Sequence, residues 1–263
     1  MFLSAFSRRP KPRNRLAYVF YATDDIHAVA VLVFVRLLRD LGARSDADIL
    51  VMHAPLSSAL REKMQRWGIT TRLVRRYPKA MNASFRHCLL KLKIFGLSEY
   101  ERVLFADADA VPLKSLDHLL SIPMTGALAA PRAYWLPQPF WTSALLVAQP
   151  SRASWKRVRR HFGTARRTDY CDMDIVNRAF ADEIQTLSPA TFCLNSEWEE
   201  ADRPSFFADP VEAYSSVSIV HFTALGKPWT YTTSEARRRR PNAHPQFYDL
   251  WDKWRRTRDL ILG

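Results

Sequence analysis

The chain carries three aspartate pairs spaced two apart: Asp46-Ala47-Asp48, Asp107-Ala108-Asp109 and Asp172-Met173-Asp174. Two carboxylates at that spacing suit a hard divalent cation, a turn or a helix start. Their flanks separate them. Asp107 follows the apolar run Val103-Leu104-Phe105-Ala106, and Ala110-Val111-Pro112-Leu113 returns to apolar character. Carboxylates caught between apolar segments must be solvated in a cleft, paired, or bound to a cation. Asp46 and Asp48 sit instead between a helical pattern and a strand pattern, where aspartates ordinarily serve turns. His221 ends another apolar run, residues 217–220, and opens Phe222-Thr223-Ala224-Leu225-Gly226-Lys227-Pro228-Trp229. Its ordinary role would be a buried histidine bonded to backbone. Joined to Asp107 and Asp109, its nitrogen would favour Mn²⁺ over Mg²⁺. Lys227 is either a phosphate partner beside such a site or a solvated surface lysine.

The elements that must position these groups alternate. Residues 16–21 form an apolar strand, and Thr23-Asp24-Asp25 supplies N-caps for a helix over 26–41 that Gly42 closes. Residues 49–52 make a second strand. Leu56, Leu60, Met64 and Trp67 form a helical stripe ended by Gly68, and a strand over 70–74 follows. A helix over 85–97 then leads into the strand at 102–106. This alternation predicts a mostly parallel sheet with helices on both faces and a ligand site at the carboxyl ends of its strands. Beyond it the pattern predicts strands at 126–130, 143–147 and 217–220 and helices at 151–161 and 172–180. A last helix runs from Pro245, with Phe247, Leu250, Trp251 and Trp254 on one face and Asp249–Lys253 and Asp252–Arg256 as supporting pairs.

Composition removes several function classes. With only 7 glycines in 263 residues the chain has no GxGxxG and no GxxxxGK[ST], which excludes the usual dinucleotide and P-loop sites. It has no HExxH or GxSxG, and its three cysteines, Cys88, Cys171 and Cys193, form no CxxC pair, as in a reducing compartment. The longest apolar stretch, residues 28–38, is about half of a membrane span and contains Arg36. With no signal-peptide core at the start, a cytoplasmic location is expected. Residues 1–15 read as a basic, disordered leader, 16–236 as one compact domain, and 237–263 as a basic amphipathic helix. The net charge is +13, and Arg237–Arg240 with Arg255, Arg256 and Arg258 concentrate part of it in the tail.

The order of motifs resembles a known family. The strand–Thr23-Asp24-Asp25–helix unit, Leu90-Lys91-Leu92, Phe105-Ala106-Asp107-Ala108-Asp109, Asp169-Tyr170-Cys171-Asp172-Met173-Asp174 and the loop from His221 to Trp229 come in the order of the glycogenin-like nucleotide-sugar glycosyltransferases, family eight. Ala129-Ala130-Pro131-Arg132-Ala133-Tyr134-Trp135 and Leu194-Asn195-Ser196-Glu197-Trp198-Glu199 are closest in flavour to its fungal members. The resemblance covers about residues 16–229. It implies a single GT-A-type, Rossmann-like domain, Mn²⁺ (Mg²⁺ as the alternative), and transfer of a hexose-type sugar from a UDP-sugar, with retention of configuration, to a glycan or protein acceptor.

Carried over by position, the resemblance gives the metal to Asp107, Asp109 and His221. It gives the uridine pocket to Tyr21, Thr23, Asp24, His27 and the Ala108 backbone. Lys91 and Lys227 face the diphosphate or donor. Thr142, Ser143, Asp169, Asp172 and Met173 surround the sugar, with Asp172 nearest the anomeric carbon as nucleophile or as stabiliser of positive charge; its structural alternative is an N-cap. Thr142 replaces a family asparagine, Met173 a glutamine, Ala224 a glycine and His27 an aromatic. Residues 197–210 hold no tyrosine pair for self-priming. Two other readings stand beside this one: a polyanion-binding protein that uses the basic tail on nucleic acid or an anionic membrane, and a non-catalytic sugar-nucleotide binder.

Overall fold

A computed structural model describes residues 15–75, 88–162, 171–200, 206–207 and 209–263. Most of the basic leader (1–14), the start of the expected helix at 85–87, and Asp169 lie outside the described residues.

The first half follows its apolar pattern closely. Strand β1 (Leu16–Ala22) leads to helix α1 (Asp25–Asp40), and β2 (Ala47–His53), α2 (Ser58–Arg66), β3 (Thr70–Leu73) and β4 (Arg102–Ala106) continue the alternation. Asp24 caps α1 by accepting from the His27 N–H, and Gly42 and Gly68 end α1 and α2 in the left-handed region at φ 80° and 67°. β1, β2, β3 and β4 pair in parallel, with β1 between β2 and β4. β1 is apolar throughout because both its faces are covered: Tyr18, Phe20 and Ala22 face the α1 side, and Ala17 and Val19 face the other.

The second half contributes β5 (Ala110–Pro112), β6 (Leu128–Ala130), β7 (Leu145–Ala148), α3 (Arg152–Arg160), α4 (Asp172–Phe180), β8 (Ile184–Thr186) and β9 (Phe192–Leu194). It ends with α5 (Pro210–Ser216), β10 (Ile219–His221), α6 (Thr233–Arg239) and α7 (Pro245–Leu262). The main sheet has the order β3-β2-β1-β4-β7-β6-β8, with β7 antiparallel to β4 and β6. A second, three-stranded sheet, β5-β10-β9, was not expected from the sequence, since strands of three residues are too short to carry a period. Together they make a mixed α/β, mostly parallel GT-A-type domain.

Two local expectations are corrected. Over the described part of 85–97 the chain forms a 3₁₀ helix, Cys88–Gly96, in place of an α-helix. Three residues per turn put Cys88 and Lys91 in line, and both reach Asp172. On α7 the pairs Asp249–Lys253 and Asp252–Arg256 do not form. The Asp252 carboxylate accepts from Thr233 Oγ1 at 2.5 Å, and Arg256 donates to the Asp252 carbonyl. What holds α7 is its apolar face: Phe247, Leu250, Trp251 and Trp254 are buried, with Trp251 edge-on to Phe222 at 5.6 Å.

Candidate active site

β4 ends where β1 and β2 also end, so whatever follows Ala106 emerges at the carboxyl edge of the sheet. Asp107 is tied there by its N–H to the Ala144 carbonyl (2.9 Å) and is buried. Three residues on, β5 begins and pairs antiparallel with β10, and this register sets His221 opposite Ala110. The Phe222 N–H closes the arrangement on the Asp109 carbonyl at 2.9 Å. One ligand atom from each of Asp107, Asp109 and His221 then falls within 4.8 Å of the others.

Charges interlock around this trio. Asp109 is contacted by His221 Nε2 at 3.1 Å on one oxygen and by Lys227 Nζ at 2.6 Å on the other. Lys91, almost wholly buried, bridges Asp107 (2.8 Å) and Asp172 (3.0 Å). Asp172 also accepts from Ser143 Oγ and from the Cys88 thiol. Burial pushes Asp107 up to about 6, with Lys91 opposing and the like charge of Asp109 adding. Burial would raise Asp109 too, but His221 and Lys227 hold it far below the usual carboxylate range. Asp172 is likewise held low against its burial by Lys91, Ser143 and Cys88. The site therefore presents ionised Asp109 and Asp172 with one softer carboxylate between.

The donor set fits a divalent cation. Asp107 Oδ1 is buried with no hydrogen-bond partner among the described residues, an arrangement that costs free energy unless a proton or cation meets it. Two carboxylates and one imidazole are hard oxygen and borderline nitrogen donors of the kind Mn²⁺ accepts.

The other expected site residues fall into two groups. Tyr21 stacks on Phe105 at 5.9 Å, with its hydroxyl pushed well up by burial and by Asp107. Thr23 is buried and lies 3.1 Å from His27 Nδ1, and Asp24 accepts from that ring at 2.8 Å. His27 meets Trp229 edge-on at 5.4 Å, so the start of α1 and the histidine loop share one wall. Ala108 is buried between the two acidic residues. Thr142 and Met173 are less committed. Thr142 Oγ1 accepts from the Ala144 N–H, the Met173 carbonyl accepts from Asn177, and neither has a polar contact with the acidic cluster among the described residues. Capping does not occupy Asp172: Cys171 is the N-cap of α4, and its N–H donates to Asp174 at 2.9 Å.

Asn195 is a residue that sequence reasoning missed. It is fully buried, and its Oδ1 accepts from the N–H groups of Thr223 (2.7 Å) and Ala224 (2.9 Å) while Nδ2 donates to the Ala224 carbonyl. It thereby fixes the loop that turns through Leu225 (φ 60°) and Gly226 (φ 86°) to present Lys227. A polar residue straight after the apolar Phe192-Cys193-Leu194 was the available signal.

No protein-family model matches the chain. It is 29% identical to glucose N-acetyltransferase 1 of Aspergillus fumigatus over 84% of this chain and 66% of that protein. It is 29% identical to human glycogenin-1 over 62% of this chain and 47% of that protein. The chain thus spans about half to two thirds of the length of these relatives. Among solved structures, the galactosyltransferase LgtC in complex with donor and acceptor sugar analogues superimposes with a TM-score of 0.65 at 18% identity, covering 92% of this chain and 99% of that one. The bifunctional glycosyltransferase WbbM gives 0.69 at 16% identity over 97% of this chain and 52% of that one. In sequence the chain is similar to the glycogenins and to fungal glucose N-acetyltransferases, and it shares the GT-A-type fold of solved glycosyltransferases.

Proposed function

We propose that the protein is a divalent-metal-dependent glycosyltransferase that moves a hexose from a UDP-sugar to an acceptor with retention of configuration. The observation that carries this reading is the convergence of Asp107, Asp109 and His221 within 4.8 Å at the carboxyl edge of a GT-A-type sheet. Asp107, Asp109 and His221 would hold Mn²⁺, which when bound offsets the negative charge that grows on a diphosphate leaving group.

The chain's own residues supply the rest. Lys227, reaching in from a loop fixed by Asn195, sets a cation beside Asp109 where a diphosphate would lie. Lys91 neutralises Asp107 and Asp172 together and keeps both carboxylates aimed. Asp172 stays ionised in a buried setting, where a fixed negative charge acts most strongly on a carbon becoming positive. That role fits either covalent capture by Asp172 or attack on the face the leaving group vacates. Tyr21, Thr23, Asp24 and His27, walled by Trp229, would seat the uridine, with Ala108 offering backbone. Thr142, Ser143, Asp169 and Met173 would surround the sugar.

The test is a panel of UDP-sugars with the full chain, with and without Mn²⁺. Metal-dependent release of UDP from at least one donor, enhanced by a saccharide or protein acceptor, is expected. Tight Mn²⁺ and UDP binding without turnover on any donor would leave a non-catalytic binder in its place.

A further inference from the structure

The arginines that stand out in the sequence are the ones the fold consumes. Arg237 lies over the Tyr248 ring at 4.2 Å, Arg239 over Tyr231 at 4.4 Å, and Arg240 pairs with Glu199 at 2.6 Å. Helix α3 is the reverse case. Its nine residues, Arg-Ala-Ser-Trp-Lys-Arg-Val-Arg-Arg, contain no acid and start from a sound cap at Ser151. Ser154 and Val158 are buried, and Arg157 is spent on Glu183 (2.8 Å) and the Phe180 ring (5.1 Å). Arg152, Lys156, Arg159 and Arg160 remain, all exposed, at i, i+4, i+7 and i+8 on one outward face.

Among the described residues none of these four makes a salt bridge, and Arg159 lies over the Trp155 ring at 5.9 Å. With Trp155 they wall a shallow cavity of about 510 Å³. Burial first, then Arg178, Arg157 and Arg160, push the His161 imidazole below its ordinary range.

We propose that this face of α3 docks the protein on an anionic phospholipid surface, its four cations meeting phosphate-bearing headgroups. The face suits that partner better than nucleic acid. Trp155 is packed so closely on Gly96 that a side chain there would meet it at 3.4 Å, and Phe162 covers it edge-on at 5.8 Å, so its ring is not free to stack on a base. The exposed positions of the helix hold these four long cations and Ala153, a surface that offers charge and no further stacking ring. A charged lipid surface asks only for density of positive charge on one exposed face, and each Lys or Arg near it contributes about fivefold to partition.

The experiment is co-sedimentation of the full chain with vesicles of phosphatidylcholine alone and of phosphatidylcholine mixed with phosphatidylserine. Binding only to the anionic vesicles at about 0.1 M salt, and release at about 0.5 M as screening shortens, are expected. Replacing Arg152, Lys156, Arg159 and Arg160 together by serine should lower partition by roughly six-hundredfold, with melting temperature and any UDP-sugar turnover unchanged. Arg237→Ser with Arg239→Ser should instead lower the melting temperature and leave partition within about tenfold. A wild-type chain that ignores anionic vesicles, a serine variant that partitions like wild type, or a chain that binds only duplex oligonucleotide through these four residues would each overturn the proposal.

Discussion

The tripeptide Asp-Ala-Asp occurs twice, at the entrance of β2 and at the exit of β4. At the entrance, Asp46 is largely exposed and its carboxylate is held by Arg44, two residues away, at 2.6 and 2.7 Å. Asp48 is half-buried between Arg15 and the Tyr100 hydroxyl (2.9 Å). Each carboxylate there has a local or surface donor. At the exit, Asp107 and Asp109 are met by Lys91, Lys227 and His221, and one buried oxygen is left without a donor among the described residues. The same three residues thus make a strand's starting anchor in one place and a cation-shaped site in the other. Position along the strand decides it. All parallel strands release their loops at one edge, so groups more than a hundred residues apart in sequence meet there, whereas the opposite edge gathers only connections.

The strongest way to break this contrast is Asp109→Asn. It keeps size but removes the charge that faces both His221 and Lys227. Loss of Mn²⁺-dependent UDP binding and a fall in turnover on the order of a thousandfold are expected, with circular dichroism unchanged. Titration calorimetry decides it: unaltered Mn²⁺ and UDP affinities would remove Asp109 from the site.

Next in size is the third aspartate pair, which the fold splits between two duties. Asp172 points into the site and Asp174 caps α4. Asp172→Asn should lower kcat on the order of a hundredfold with KM little changed, because the charge matters most to a transition state. Lys91 would keep Asp107, so the melting curve should register only about 1–3 kcal/mol. Asp174→Ala should do the opposite, costing about 1 kcal/mol of stability through the lost cap while turnover holds. Equal kinetic effects in the two variants would show that the split is not real.

Smaller again is the loop. Asn195→Ala leaves the Thr223 and Ala224 N–H groups without their acceptor inside the core, at a cost of about 2–3 kcal/mol. Donor affinity should weaken with it, since Lys227 is carried by that loop. A variant that melts early yet binds donor like wild type would confine Asn195 to stability.

What could be read from the sequence follows from the same geometry. β1, β2 and β4 are covered on both faces, so they appear as unbroken apolar runs, and Asp24, Gly42 and Gly68 mark the helix ends by backbone chemistry that needs no tertiary context. The order of the candidate site residues was legible too, since Asp107 and His221 stand where an apolar run stops and Asp109 where the next one begins. Their partners were not. That Lys91 bridges Asp107 and Asp172 depends on a 3₁₀ turn that no apolar period announces, and Asn195 acts through backbone groups 28 and 29 residues away. The arginines show the opposite case. A run such as Arg237–Arg240 is conspicuous in sequence, but only packing tells that Tyr248, Tyr231 and Glu199 take three of its members.

The smallest effects are expected where the first Asp-Ala-Asp stands, and they sharpen the contrast most cleanly because both motifs then receive the same substitution. Asp46→Asn removes one end of an exposed pair with Arg44, an interaction that solvent and salt already weaken. Neither melting temperature nor turnover should move. Asp48→Asn keeps an acceptor for the Tyr100 hydroxyl, whereas Asp48→Ala leaves that half-buried hydroxyl and Arg15 without one. The alanine variant should therefore lose about 1 kcal/mol and the asparagine variant less. Mn²⁺ should raise the melting temperature of the wild type and of all three variants alike, because a ligand of the native state stabilises it whatever happens at the opposite edge. A metal-induced shift that disappears in Asp48→Asn would mean that the first motif also draws on the cation, and the division between the two sheet edges would fall.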